Sequence, residues 1–238
     1  MLPVRTISPV EHRSAYELSA LETERHARAA GCSVLRSHDL GDGVRAWDLD
    51  CHDHANKVDL LEQLAESEAQ LPGIRRIAED VTAGATTDAE RAADLLGYVQ
   101  GHVAFAGEIR ETFNGTARTL EIGQGDCDDS ARALLALLRS LAIPARLETL
   151  PARATGRPPH HVAVQVQLGG AWHWLETTVA AEPGEHPLDA ARRLGVQTRP
   201  DLGAIGAAAD LPLLDRAVEW LAVPLVLGTA GVLWWMSD

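Results

Sequence analysis

The chain has 238 residues, 46% of them apolar and 23% charged, with a formal net charge of −13. That length suits one good hydrophobic core with appendages. No basic stripe accompanies the acidity, which excludes nucleic acid as an expected partner and otherwise reports solubility rather than a substrate. The three cysteines, Cys32, Cys51 and Cys127, are too few for a disulfide framework and point to a reducing compartment. The opening MLPVRTISPVEHRS has no apolar h-region, so no secretory signal peptide is expected.

In chain order, residues 8–30 read as a helix, with Ser8, Pro9 and Glu11 as its capping box and Gly31 as its stop. SVLRSHDLGDGVRAWDLD then reads as two short strands around Gly41-Asp42-Gly43. Residues 53–70 form an amphipathic helix stopped by Pro72. Two more helices are expected at 73–83 and 87–105, the second capped by Thr87 or Asp88. Residues 106–122 read as loop or weak strand, and the sequon Asn114-Gly115-Thr116 carries little without secretion. Residues 127–141 form a helix apolar around most of its circumference, hence buried on nearly all sides, and Pro144 ends it. A strand at 145–150, a Pro/Gly loop at 151–159 and a hairpin at 161–178 follow, then helix and loop after Pro183.

The stretch GQGDCDDSARALLALLRSLAIPAR (123–146) sets Cys127 at a helix start among Asp126, Asp128 and Asp129. Helix N-terminal amides favour an anion there and should lower the thiol pKa. The neighbouring carboxylates push the other way, so a thiolate would need a cationic partner, most simply a histidine. The Cys127 amide, without an intrahelical acceptor, suits an oxyanion donor, and Gln124 lies near enough in sequence to be a second. The plainer reading is a cap-region cysteine with no chemistry.

Among ten histidines, hairpin parity selects one. With the two-residue turn Gly169-Gly170, Leu168 pairs with Ala171 and Ala163 with Glu176. His161, Ala163 and Gln165 then share a face with Trp172, Trp174 and Glu176. His161 and Glu176 become diagonal neighbours about 7 Å apart, within side-chain reach. His160 and His173 fall on the opposite face; a three-residue loop would favour His160 instead. Alone, His161 reads as a strand-end histidine and Glu176 as a solvated carboxylate. Together they read as a base and the acid that fixes its tautomer.

The order GDCDD–helix–LRSLAIPAR, then HVAVQV-GG-AWHWLETT, resembles the transglutaminase-like superfamily, of papain-related fold. The helical lead-in PGIRRIAEDVTAGATTDAERAADLLGYVQGHVAF supports the resemblance, which covers about residues 72–180. It implies an α+β core in which a buried Cys-bearing helix packs on a small antiparallel sheet. The implied organisation is 1–71 helix and strand, 72–182 core, 183–216 extension and 217–238 apolar tail. The resemblance makes Cys127 the nucleophile, His161 the base and Glu176 the orienting acid. The usual Asp is here Glu176, the usual Pro after it is Thr177, and the usual aromatic after the His is Ala163, a change expected to open a patch or widen the cleft. The implied reaction forms a thioester at an amide carbonyl, resolved by water or an amine, with a protein or peptide substrate and no cofactor or metal.

Two signals are weaker. Cys51, His52, Asp53 and His54 suit a metal by type, but four adjacent residues seldom converge on one ion; Asp53 reads as a helix cap. His102 and His186 read as surface or loop residues. The run Trp220–Met236 holds 17 uncharged residues, about 25 Å of helix. It suits a short membrane anchor, a helix docked on another subunit, or one returned to its own core. Two functional readings stand: a bacterial or phage cysteine enzyme, cytoplasmic or virion-associated and tethered by its tail, and a non-catalytic structural or assembly protein of the same fold.

Overall fold

The computed structural model describes residues 18–41, 44–51, 53–106, 114–150 and 161–194. The Ser8 cap, the 151–159 loop, His160 and the apolar tail lie outside these residues. Among the described residues, no helix is long and apolar enough to cross a membrane.

The first helix, α1 (Ala20–Ala29), is shorter than the 8–30 pattern suggested. Ser19 is extended and forms a capping box with Glu22, so Leu18 and Ser19 precede the helix. Gly31, at φ 79°, turns the chain into β1 (Cys32–Gly41), which pairs antiparallel with β2 (Val44–Cys51). Cys32 faces Cys51 across this ladder, and the two form a disulfide. This corrects the reading of the cysteines as reduced thiols, and it removes Cys51 from any metal cluster. Asp53 caps α2 (His54–Ala69), as its sequence position suggested. Pro72 does more than stop that helix. It occupies the first turn of α3 (Pro72–Val81), where its missing N–H costs nothing.

Thr87 and Glu90 form the capping box of α4 (Asp88–His102). The helix ends before Val103, since Ala104–Phe105 forms β3, paired in parallel with β4 (Gln124–Gly125). Between them lies a second correction: residues Thr116–Ile122, read as loop or weak strand, are α5. Asn114 and Gly115 just before it, and its two threonines, obscure the helix in sequence. Tertiary contacts hold it: the Thr116 amide and hydroxyl donate to Glu68 of α2, at 3.0 and 2.8 Å.

The centre of the molecule is α6 (Cys127–Ser140). Leu134, Leu135, Leu137 and Leu138 are fully buried, and α2, α3, α4, α5, β5 (Ala145–Leu150) and β6 (His161–Leu168) pack against it. β6 is the middle strand of an antiparallel sheet with β5 and β7 (Ala171–Leu175). Val162, Val164, Val166, Leu147 and Leu175 point from one face of this sheet into the main core. Gly169 and Gly170, at φ 58° and 85°, make the two-residue turn that a right-twisted hairpin prefers. Leu168 pairs with Ala171 and Gln165 with Trp174, the register expected from sequence. A short α7 (Pro187–Arg193) ends the described chain, with Ala190 packed on Leu150, Val179 and Ala181.

Candidate active site

The site is built where α6 begins. Gly123, in the left-handed region at φ 65°, caps α5 and returns its amide to the Thr119 carbonyl at 3.0 Å. Gly125 serves a different need. A Cβ there would lie 2.7 Å from the Asp129 Cβ, so only glycine lets the chain pass. The Ala104 and Ala106 amides hold the carbonyls of Gly123 and Gly125 at 2.8 and 2.9 Å. Asp126 then caps α6, accepting from the amides of Asp128 and Asp129. Cys127 follows as the first helical residue, half-buried and outside the disulfide.

The carboxylates around the thiol have separate duties. Asp129 accepts from the Asn114 amide at 2.8 Å and from its side chain at 2.9 Å, pinning the segment before α5. The sequon asparagine is thus engaged inside the fold. Asp128 is buried and meets Lys57 of α2 at 3.3 Å. Deeper along α6, Arg132 grips both oxygens of buried Glu68 at 2.7 and 2.9 Å. That pair joins α6 to α2 and, through Thr116, to α5.

His161 opens β6, and Glu176 lies one residue beyond β7; both are buried. Glu176 Oε2 meets His161 Nε2 at 2.6 Å, while Oε1 accepts from the Thr178 amide and hydroxyl, each at 2.7 Å. The Gln100 side chain of α4 donates to the Glu176 carbonyl at 2.8 Å and fixes the chain from behind. Burial pushes the Glu176 carboxyl up, but the adjoining His161 ring and these hydrogen bonds outweigh it and hold the group below its usual range. His161 Nδ1 is buried with no hydrogen-bond partner. The next residue, Val162, turns its amide to the Cys127 sulfur, which sets the thiol at the start of β6.

The thiol itself departs from the helix-terminus expectation. Burial pushes it well above its usual value, and the Asp128 and Asp126 charges push the same way; the Val162 amide and Lys57 only partly oppose them. Its resting form is the neutral thiol. Ala163 is fully buried, so no open patch or widened cleft forms at that position. His173 faces Val166 and lies on the face opposite His161. His102 stacks on Tyr98 and bonds the Leu120 carbonyl at 2.7 Å, and His186 meets Trp174 edge-on. Both are half-buried, and His186 lies in the loop before α7, as expected.

Gln124 is exposed and lies on β4, one residue before Gly125. Among the described residues, one group of metal-type donors comes together: Asp126, Cys127 and Asp128, within 4.8 Å. They are consecutive; Asp126 is engaged as the helix cap and Asp128 with Lys57. Lys57 and Gln100 escaped the reading of the sequence, as did the hold of Asp129 on Asn114. Lys57 and Gln100 reach the site from helices far away in sequence and carried no signal.

The chain matches the model of the Transglutaminase-like superfamily over residues 75–177. Among solved structures it is similar to a "Putative Cysteine Protease" from Cytophaga hutchinsonii, at 21% identity and a TM-score of 0.41, covering 50% of this chain and 39% of that one. It is also similar to a "putative protease" from Parabacteroides distasonis, at 14% identity and a TM-score of 0.42, covering 63% and 37%. A structure described as a TGase follows at 12% identity and a TM-score of 0.35, covering 74% and 53%. The chain therefore spans between 37% and 53% of the length of these proteins. No curated protein matches it.

Proposed function

We propose that this chain, which carries a transglutaminase-like domain at residues 75–177, uses Cys127 as the nucleophile of an amide hydrolase or acyl transferase. The observation that carries the reading is the buried His161–Glu176 pair at 2.6 Å, with Nδ1 of the same ring left without a hydrogen-bond partner. Glu176 accepts the Nε2 proton, which places the imidazole lone pair on Nδ1. That atom takes the thiol proton as sulfur attacks the substrate carbonyl carbon. Because the resting thiol is neutral, proton transfer accompanies attack rather than preceding it. The tetrahedral oxyanion is met by the Cys127 amide, with Gln124 as a second donor.

Collapse breaks the C–N bond. The leaving amine takes the proton from Nδ1, and the acyl group remains on sulfur as a thioester. Water or a second amine then attacks the thioester, gives its proton to Nδ1 and releases the product and the thiol. A protein or peptide amide is the substrate class that fits this chemistry. The raised thiol supports a second reading, a scaffold that has kept the fold without the activity.

The test is incubation of the protein with an unstructured protein substrate, with and without a primary amine, followed by mass spectrometry. Cleavage, deamidation or amine addition that is absent in Cys127→Ala supports the enzyme. Equal products from both proteins, or none from either, support the scaffold.

A further inference from the structure

The site contains a charge problem that the triad does not solve. Asp128 is adjacent to the nucleophile, and its side chain is 2% exposed. A buried carboxylate beside a thiol opposes ionisation of that thiol and is itself costly unless paired. A cation meets it: Lys57 Nζ lies 3.3 Å from Asp128 Oδ2, with its own side chain 21% exposed. Lys57 sits in the first turns of α2, which Asp53 caps and which packs along α6. Its position is further fixed because the neighbouring Asn56 donates to the Ala30 carbonyl at 2.8 Å.

We propose that Lys57 is a positioning residue for the nucleophile: held on Asp128, its ammonium cancels the carboxylate beside Cys127 so that the thiol can yield its proton during attack. The proposal rests on Cys127 being the nucleophile and adds a fourth charged group to the three already assigned. Among the described residues, the charges that act on the thiol are Asp126 and Asp128 on α6 and Lys57 on α2; the titratable pair His161–Glu176 lies at the end of β6 next to Val162, whose amide meets the sulfur. The pull of Lys57 on the thiol runs opposite to that of Asp128 and Asp126, in keeping with this role.

The experiment is the rate of Cys127 alkylation by iodoacetamide in the full chain at fixed pH values between about 7 and 9, below the thiol midpoint, read by peptide mass spectrometry. It needs no substrate. Lys57→Met should slow labelling about tenfold at each pH, and Lys57→Arg should restore it. Since Lys57→Met takes a cation away from a buried carboxylate, Lys57→Met/Asp128→Asn removes both charges; its rate should return to within about threefold of the unmodified protein. An unchanged rate in folded Lys57→Met overturns the proposal, as does a double variant as slow as the single. Failure of the enzyme reading appears separately, as no turnover in the protein-substrate assay while the Lys57 effect persists.

Discussion

Replacing Arg132 by leucine should unfold the site from beneath. The Arg132 and Glu68 side chains are 5% and 3% exposed, and the fork meets the carboxylate at 2.7 and 2.9 Å. Two unit charges about 4 Å apart attract by about 4 kcal/mol at an effective dielectric constant near 20. Truncating one partner of such a buried pair costs about 3–5 kcal/mol, because the other charge stays buried with only neutral donors. Here those donors are the Thr116 amide and hydroxyl. For a chain of this size each kcal/mol moves the midpoint by about 2–4 °C, so Tm should fall by roughly 6–20 °C. The assay is thermal and urea unfolding followed by circular dichroism. The double variant Glu68→Leu/Arg132→Leu buries no charge and should recover at least half of the loss. A loss below about 1 kcal/mol in Arg132→Leu, or a double no better than the single, would refute the reasoning.

Glu176→Gln should fold and lose turnover by about 10²–10⁴-fold, since the imidazole loses the anion that fixes its tautomer; initial rates on any substrate found above check this. The same carboxyl sets an acid limit. Its folded pKa lies below the ordinary 4.5, so its stabilisation is present above that value and fades as pH falls through the lower folded value. The stability gap between the unmodified protein and Glu176→Gln should therefore be full near pH 6 and close below about 4.5. A gap constant down to pH 3 would contradict this. Gly125→Ala would press its Cβ to 2.7 Å from Asp129 and should cost about 1–3 kcal/mol of stability by urea unfolding.

The hairpin was legible because a two-residue glycine turn fixes parity, and parity alone puts His161 and Glu176 on one face. The buried Cys helix was legible because its leucines surround it. The cysteine pair was not. An unbroken hairpin about residues 42–43 would set Cys32 opposite Asp53; two register shifts, at Val34/Arg36 and Asp39/Gly41, move its partner to Cys51. Helix α5 was hidden because its stabilising carboxylate, Glu68, lies 48 residues before Thr116. The depth of the thiol was not legible either: burial pushes it up, and the Asp128 and Asp126 charges act in the same direction.

The central claim is that His161 is the base for Cys127. The most direct test is the rate of Cys127 alkylation by iodoacetamide at pH 7.5 in the unmodified protein and in His161→Ala. The disulfide-bonded Cys32 and Cys51 should stay unlabelled in both. General-base assistance is worth about 10²–10⁴-fold in favourable cases, so removal of the imidazole should slow labelling at least about tenfold. Equal rates in two folded proteins would mean that the imidazole does not serve the thiol, and the catalytic account would fall.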